Sequence, residues 1–254
     1  MVDRAAERRS CPASGTASPS SGAISCSRTS DRSWPLSTWD KVTAVDIVDP
    51  RFDAYMRSRL GKYDEPVLLE MEAEAERRGF PAVGRNVGVA LELLARSIDA
   101  RRVFELGSGF GYSAYWFGRA VGPKGELHCT DNDPANADAG RAYLARAGLG
   151  DVVIYHVGDA LESFSSVEGE FDAVFCDIDK PGYPAAWRAA CDRIRVGGLY
   201  LCDNTLSYGR GSILDDEEGT NAIREHNRLI EQDERFLSTI IPTREGVLAA
   251  LRLR

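Results

Sequence analysis

Residues 103–113 read Val-Phe-Glu-Leu-Gly-Ser-Gly-Phe-Gly-Tyr-Ser. Val103 to Leu106 has the character of a short apolar strand. Gly107, Gly109 and Gly111 make a tight turn, and the YSAYWFGRAV segment from Tyr112 onward reads as a helix. A strand, a glycine turn and a helix N-terminus together form a cradle for a nucleotide-like cofactor, because main-chain amides and the helix dipole point at its negative groups. The spacing narrows the choice. Dinucleotide sites carry their third glycine at the sixth position of G-x-G-x-x-G. Here the glycines stand at positions one, three and five, with an acid, Glu105, just before them.

Outward from this turn the chain alternates. Strands are expected at 102–106, 126–131, 152–157, 171–177 and 198–203, and helices at 112–121, 134–147, 183–194 and 217–232. Such a rhythm specifies a parallel sheet covered on both faces. FLSTIIPT and GVLAALRL, separated by Arg244-Glu245, read as a terminal antiparallel hairpin. The expected class is therefore α/β, Rossmann-like, with a mostly parallel seven-stranded sheet. Upstream, residues 39–98 carry helical periodicity, with PVLLEMEAEAERRGF and VGVALELLARSI as two amphipathic helices before the core at 99–254. Residues 1–38 are rich in Ser and Arg without apolar periodicity and read as a disordered tail.

Composition bounds the function. The net charge of −8 argues against nucleic acid as the main partner. No apolar run approaches the ~18 residues of a membrane span. Arg8-Arg9 is followed by no apolar stretch, so an export signal is not expected. The six cysteines (Cys11, Cys26, Cys129, Cys176, Cys191 and Cys202) include no CxxC pair, and Cys129, Cys176 and Cys202 fall within strand-like runs. That usage fits a reducing, cytoplasmic compartment.

The Glu105-x-Gly107-x-Gly109-x-Gly111 arrangement resembles the first motif of S-adenosylmethionine-dependent methyltransferases, and the hairpin-closed sheet is similar to their class I fold. On this reading the turn, with Ser108, Tyr112 and Ser113, meets the methionine portion of the cofactor. Asp131, twenty residues past Gly111, would accept from the ribose hydroxyls. Asp133 precedes Pro134 and reads as a helix N-cap. Gly158-Asp159-Ala160 would lie beside the adenine, with Asp159 accepting from its amine.

Two further strands end abruptly in charge, FDAVFCDIDK at Asp177 and GLYLCDN at Asp203-Asn204. Neighbouring parallel strands lie ~4.8 Å apart, and two carboxylates so close raise one another's pKa unless a cation separates them. With the Asn204 amide oxygen they form an all-oxygen set suited to a hard divalent ion, Mg²⁺ first. Lys180, one of four lysines in the chain, stands three residues past Asp177 and is the candidate base, a role that arginine cannot fill. Asp179 reads as a turn residue. Tyr183, His128, His156 and His226 read as structural.

Asp177-Ile178-Asp179-Lys180-Pro181-Gly182-Tyr183, then Gly197-Gly198 and Asp203-Asn204, resemble the cation-dependent O-methyltransferases, the family of the catechol and caffeoyl-CoA enzymes. The likeness runs from about Pro81 to Arg252 and includes VGRNVG at 83–88, where Val83 would touch the methionine end of the cofactor. Asp131 departs from the family's usual Glu, and Pro181 from its usual residue after the lysine. The resemblance implies methyl transfer from S-adenosylmethionine to a hydroxyl of a small catechol-like or phenolic acceptor. In it, Asp177, Asp203 and Asn204 hold the metal, Asp177 also borders the cofactor, and the N-terminal helices could form a homodimer. The alternatives are a metal-independent methyltransferase acting on another small molecule, a nicotinamide oxidoreductase, which the glycine spacing opposes, and a cofactor-binding protein without catalysis.

Overall fold

A computed structural model describes the main chain of residues 47–208, 211–216 and 218–254. The expected tail at 1–38 lies outside the described residues.

Helices α1 (Pro50–Ser58), α2 (Pro66–Arg78) and α3 (Gly84–Ser97) come first. Proline opens α1 and α2, Asp49 caps α1, and Gly79 closes α2 in the left-handed conformation. There follow β1 (Arg102–Leu106), α4 (Tyr112–Val121), β2 (Glu126–Asp131), α5 (Pro134–Arg146), β3 (Val153–Val157), α6 (Ala160–Ser166), β4 (Phe171–Cys176), α7 (Tyr183–Ala190) and β5 (Ile194–Cys202). A short ladder, β6 (Ser207–Tyr208) with β7 (Gly211–Ser212), precedes α8 (Glu218–Glu231), and β8 (Phe236–Ile241) and β9 (Val247–Arg252) close the chain. The sheet order is β3-β2-β1-β4-β5-β9-β8, with β9 antiparallel to both of its neighbours and the other pairs parallel. This is the α/β architecture with a terminal hairpin that the alternation specifies.

An apolar layer covers each face of the sheet. One holds Val87, Leu91, Trp116 and Leu144 from α3, α4 and α5. The other holds Phe164, Trp187, Ile223 and Ile230 from α6, α7 and α8. Helix α4 is buried almost all round because α3 packs on its outer side. A Cβ on Gly88 of α3 would stand 2.1 Å from the Trp116 indole nitrogen, so that glycine sets how closely the two helices approach.

Three elements depart from the sequence reading. Strand β5 begins at Ile194, four residues early, because Ile194 already pairs with Phe171 before the register shifts to Ala173–Leu199. Gly197, at φ +77°, sits in the resulting bulge. Helix α7 ends at Ala190 for the same reason: the chain must turn to reach that early pairing. Helix α6 follows the Gly158-Asp159-Ala160 turn, with Asp159 as its N-cap.

Register positions the site. Leu106 pairs with Cys176, and Cys176 pairs with Cys202. The next residues, Gly107, Asp177 and Asp203, therefore leave the sheet in one row. The strand order reverses between β1 and β4, so this row lies at the switch point where open α/β sheets bind ligands.

Helix α8 is anchored by a histidine. His226 is fully buried, with Nε2 3.0 Å from the Tyr200 hydroxyl. Burial pushes its pKa down to about 4. The unfolded chain therefore takes up a proton near pH 6.5 that the folded chain refuses, and stability should fall as pH drops from about 6.5 to about 4, by about 3 kcal/mol. Urea unfolding at pH 7 and pH 4.5 should show this loss, and His226→Gln should reduce it. An equal loss in the variant would assign the acid sensitivity elsewhere.

Candidate active site

The glycine turn is built against its own protein. Gly107 has φ +84°, and a Cβ there would stand 2.5 Å from the Asp177 carbonyl, so only glycine lets β1 and β4 end this close together. The Gly107 N–H donates to Thr130 Oγ1 at 2.9 Å, and the Thr130 hydroxyl donates to the Glu105 carbonyl at 2.8 Å. The Ser108 N–H donates to the Thr130 carbonyl at 2.7 Å. Thr130, which the sequence reading passed over, thus ties the turn to β2.

A cavity of about 940 Å³ opens above this row. Most of the candidate residues line it: Val83, Gly107, Ser108, Gly109, Tyr112 and Ser113, then Asp131, Asp159 and Ala160, then Asp177, Lys180, Asp203 and Asn204. Two do not. Glu105 is fully buried beneath the turn, where burial pushes its carboxyl up to about 7 against the opposing pull of Ser108, Ser113 and Cys129. Gly111 faces the protein, since a Cβ there would meet the Tyr155 hydroxyl at 2.8 Å. Both shape the turn from behind.

The remaining candidates have defined partners. The Tyr112 hydroxyl donates to Glu72 Oε1 at 2.8 Å, and Arg85 holds Glu72 in an ion pair at 2.7 Å, so α2 and α3 fix the ring at the cavity wall. Asp131 Oδ1 accepts from the Asp133 N–H at 2.8 Å and from Asn136 Nδ2 at 3.1 Å. Asp133 caps α5 as expected. Asp159 Oδ1 accepts from the N–H groups of Leu161 and Glu162, both at 2.9 Å, which places its carboxylate at the start of α6.

At the ends of β4 and β5 the electrostatics concentrate. Asp203 is 2 % exposed, and its Oδ1 has no hydrogen-bond partner among the described residues. Burial, then the nearby Asp177 charge, pushes its pKa up to about 8. Burial raises Asp177 as well, against the pull of Lys180. Lys180 Nζ donates to Asn204 Oδ1 and to the Tyr183 hydroxyl, each at 2.6 Å, and lies 3.5 Å from Asp177 Oδ1. The Tyr183 hydroxyl donates to the Asp203 carbonyl at 2.8 Å. Asn204 has φ +54°, in a left-handed conformation that asparagine tolerates better than most residues. Its Nδ2 donates to Glu245. Asp179 is exposed and carries the turn through its carbonyl, which accepts from the Gly182 N–H.

The sequence reading missed Phe80, Arg244 and Glu245, all of which line the cavity. The ring of Phe80 covers the space where a Cβ of Gly109 would be, at 2.5 Å. The only signal for the other two was their position between two strands, and the antiparallel pairing of β9 with β5 is what brings them to the site.

Comparison with known proteins follows the same lines. The chain is 35% identical over 177 residues to a catechol O-methyltransferase of Mycobacterium tuberculosis, covering 68% of this chain and 79% of that protein. It is 33% identical over 178 residues to a catechol O-methyltransferase of Niastella koreensis, with the same coverage. The structure of the O-methyltransferase TomG from Streptomyces achromogenes, solved in complex with S-adenosylmethionine, superposes with a TM-score of 0.69 at 26% identity, over 80% of this chain and 96% of that one. With residues 60–253 matching the O-methyltransferase family model, the chain belongs to that family.

Proposed function

We propose that the protein moves the methyl group of S-adenosylmethionine to a hydroxyl of a small catechol-like or phenolic acceptor, assisted by a divalent cation, Mg²⁺ by the nature of its ligands. The observation that carries this reading is the buried, unpartnered Asp203 Oδ1 beside Asp177 and Asn204. A hard cation satisfies such an oxygen set and removes the repulsion between the two carboxylates. The names of the two curated relatives support the acceptor class, and the cofactor in TomG supports the methyl donor. When bound, S-adenosylmethionine supplies an electrophilic methyl on a sulfonium, and the cation lowers the pKa of an acceptor hydroxyl.

The chain's own residues do the rest. The Gly107–Gly111 turn, Ser108, Ser113 and the Val83 segment would hold the methionine end, with Tyr112 against it. Asp131 would accept from the ribose and Asp159 from the adenine amine, while Ala160 lines that end of the cavity. Asp177, Asp203 and Asn204 would hold the cation. Lys180 would take the hydroxyl proton at Nζ. Tyr183 would not compete for that role: burial raises its phenol well above the usual range, and its hydroxyl is occupied in positioning Lys180.

One observation favours a second reading. The Lys180 ammonium already lies 2.6 Å from Asn204 Oδ1 and within ion-pair reach of Asp177, which is the charge compensation a metal would otherwise give. A metal-independent methyltransferase would use that arrangement as it stands.

Chelation separates the two. Methyl transfer should vanish in excess EDTA and return with Mg²⁺, and full activity in EDTA would establish the metal-independent reading. Asp177→Ala should cut turnover by about a hundredfold or more while S-adenosylmethionine binding, followed by calorimetry, changes only a few-fold. Lys180→Arg keeps the charge and loses the base, so kcat should fall by about a hundredfold or more. An active Arg variant would remove Lys180 from proton transfer.

Among the described residues no helix is long and apolar enough to cross a membrane. We also propose a cytoplasmic location and a homodimer through the N-terminal helices, where Phe52 and Tyr55 of α1 are 65% and 64% exposed. Sedimentation velocity should give a dimer at micromolar protein, and a monomer at every concentration would exclude it.

A further inference from the structure

We propose that Arg244 selects the acceptor: its guanidinium, at the mouth of the cavity, binds a carboxylate that the acceptor carries. The inference rests on the methyl-transfer reading and narrows its acceptor to an acidic catechol or phenol.

The β8–β9 turn is fixed against the residues that follow β5. The Thr205 N–H donates to the Gly246 carbonyl at 3.0 Å, and the Leu206 N–H to the Glu245 carbonyl at 2.9 Å. Arg244 and Glu245 are thereby held beside Asn204, and their side chains part. Glu245 turns to Asn204 Nδ2. Arg244 reaches toward the opposite wall, where Nη1 donates to the Ala82 carbonyl.

Arg244 also adopts a costly backbone conformation. Its φ is +52°, in the left-handed region that a long side chain seldom occupies. Such outliers persist where the surrounding structure imposes them, often at binding sites.

The charge balance of the cavity points the same way. Among the described residues that line it, Lys180 and Arg244 are the lysine and arginine side chains. Lys180 is 4% exposed and engaged with Asn204 and Tyr183. Arg244 is exposed, and no carboxylate among the described residues pairs with it. With Nη1 on Ala82, the Nε and Nη2 donors are left as a fork that matches a carboxylate.

A carboxylate at this place could belong to the cofactor or to the acceptor. On the methyl-transfer reading the N–H groups at the start of α4 would receive the cofactor's, the Ser113 side chain being engaged with Glu105. The Arg244 main chain is held beside Asn204, at the acid end of the cavity, and its guanidinium crosses the mouth to Ala82, so the calorimetry below separates an acceptor's carboxylate from the cofactor's.

Titration calorimetry with Mg²⁺, with and without saturating S-adenosylhomocysteine, would compare 3,4-dihydroxybenzoate with catechol. The wild type should bind the acid about tenfold or more tightly than catechol, the scale of one charge-assisted hydrogen-bond pair. Arg244→Asn, which keeps a side chain tolerant of positive φ, should abolish that preference, and Arg244→Lys should restore part of it. A wild type without preference for the acid, or an equal loss for both probes, would overturn the proposal. A tenfold loss of S-adenosylhomocysteine affinity in Arg244→Asn would give the guanidinium to the cofactor's carboxylate and overturn it too. Failure of the methyl-transfer reading shows separately, as a wild type that binds these probes with the predicted contrast and methylates neither from S-adenosylmethionine.

Discussion

The pairing of Cys176 with Cys202 places two carboxylates on consecutive strand ends, and much of the surrounding structure answers to that placement. Asp177 and Asp203 emerge side by side with Asp203 out of water. In such a medium like charges repel strongly, and neither is well solvated. Lys180 supplies one positive charge against the two, from a position that is itself buried. The high pKa of Asp203 records the imbalance that persists. A protein that needed only a stable sheet edge would gain by placing apolar residues here. The arrangement is intelligible as a site that receives a further cation or a polar ligand.

The supports of Lys180 extend the same constraint outward. Its ammonium is held by the Tyr183 hydroxyl, which is fastened to the Asp203 carbonyl. The Tyr183 ring packs near His226, and His226 meets the Tyr200 hydroxyl inside the layer beneath α8. A neutral, buried histidine is thus connected through the Tyr183 ring to the candidate base. The core that stabilises α8 and the chemistry at the end of β4 share one set of side chains, so packing changes there would displace Nζ as well as weaken the fold.

Legibility in the sequence followed chain locality. The glycine turn, the capping role of Asp133 and the two strand ends were readable because each is a contiguous pattern: an apolar run, then glycine or charge. Glu105 lies beneath the turn, and in sequence an acid beside a glycine turn looks the same whether it faces ligand or lies there. Its burial and its side-chain contact with Cys129 from β2 distinguish the two. Strand β5 is expected to begin at Gly198 and begins at Ile194, with Gly197 and Gly198 in a bulge, because the early pairing of Ile194 with Phe171 is a tertiary fact. Arg244 and Glu245 resemble any polar hairpin turn. Their place depends on β9 running antiparallel beside β5, which no local pattern encodes.

The cavity is therefore assembled from two kinds of material. Its floor is the row of strand ends, where Asp177 and Asp203 are fixed by main-chain hydrogen bonds to Leu106 and Cys176 and Gly107 by the Thr130 hydroxyl. Its outer walls are the segment around Phe80–Val83 and the hairpin tip at Arg244–Glu245, joined to each other by the Arg244–Ala82 contact. Atoms that must be held to a fraction of an ångström for in-line transfer belong on the floor. Loops accept substitution without disturbing that floor, and so they are where a preference among acceptors can be written. The separation explains why the part common to methyl transfer was readable from a short stretch of sequence. The part that chooses the acceptor depends on two segments about 160 residues apart meeting across the mouth of one cavity.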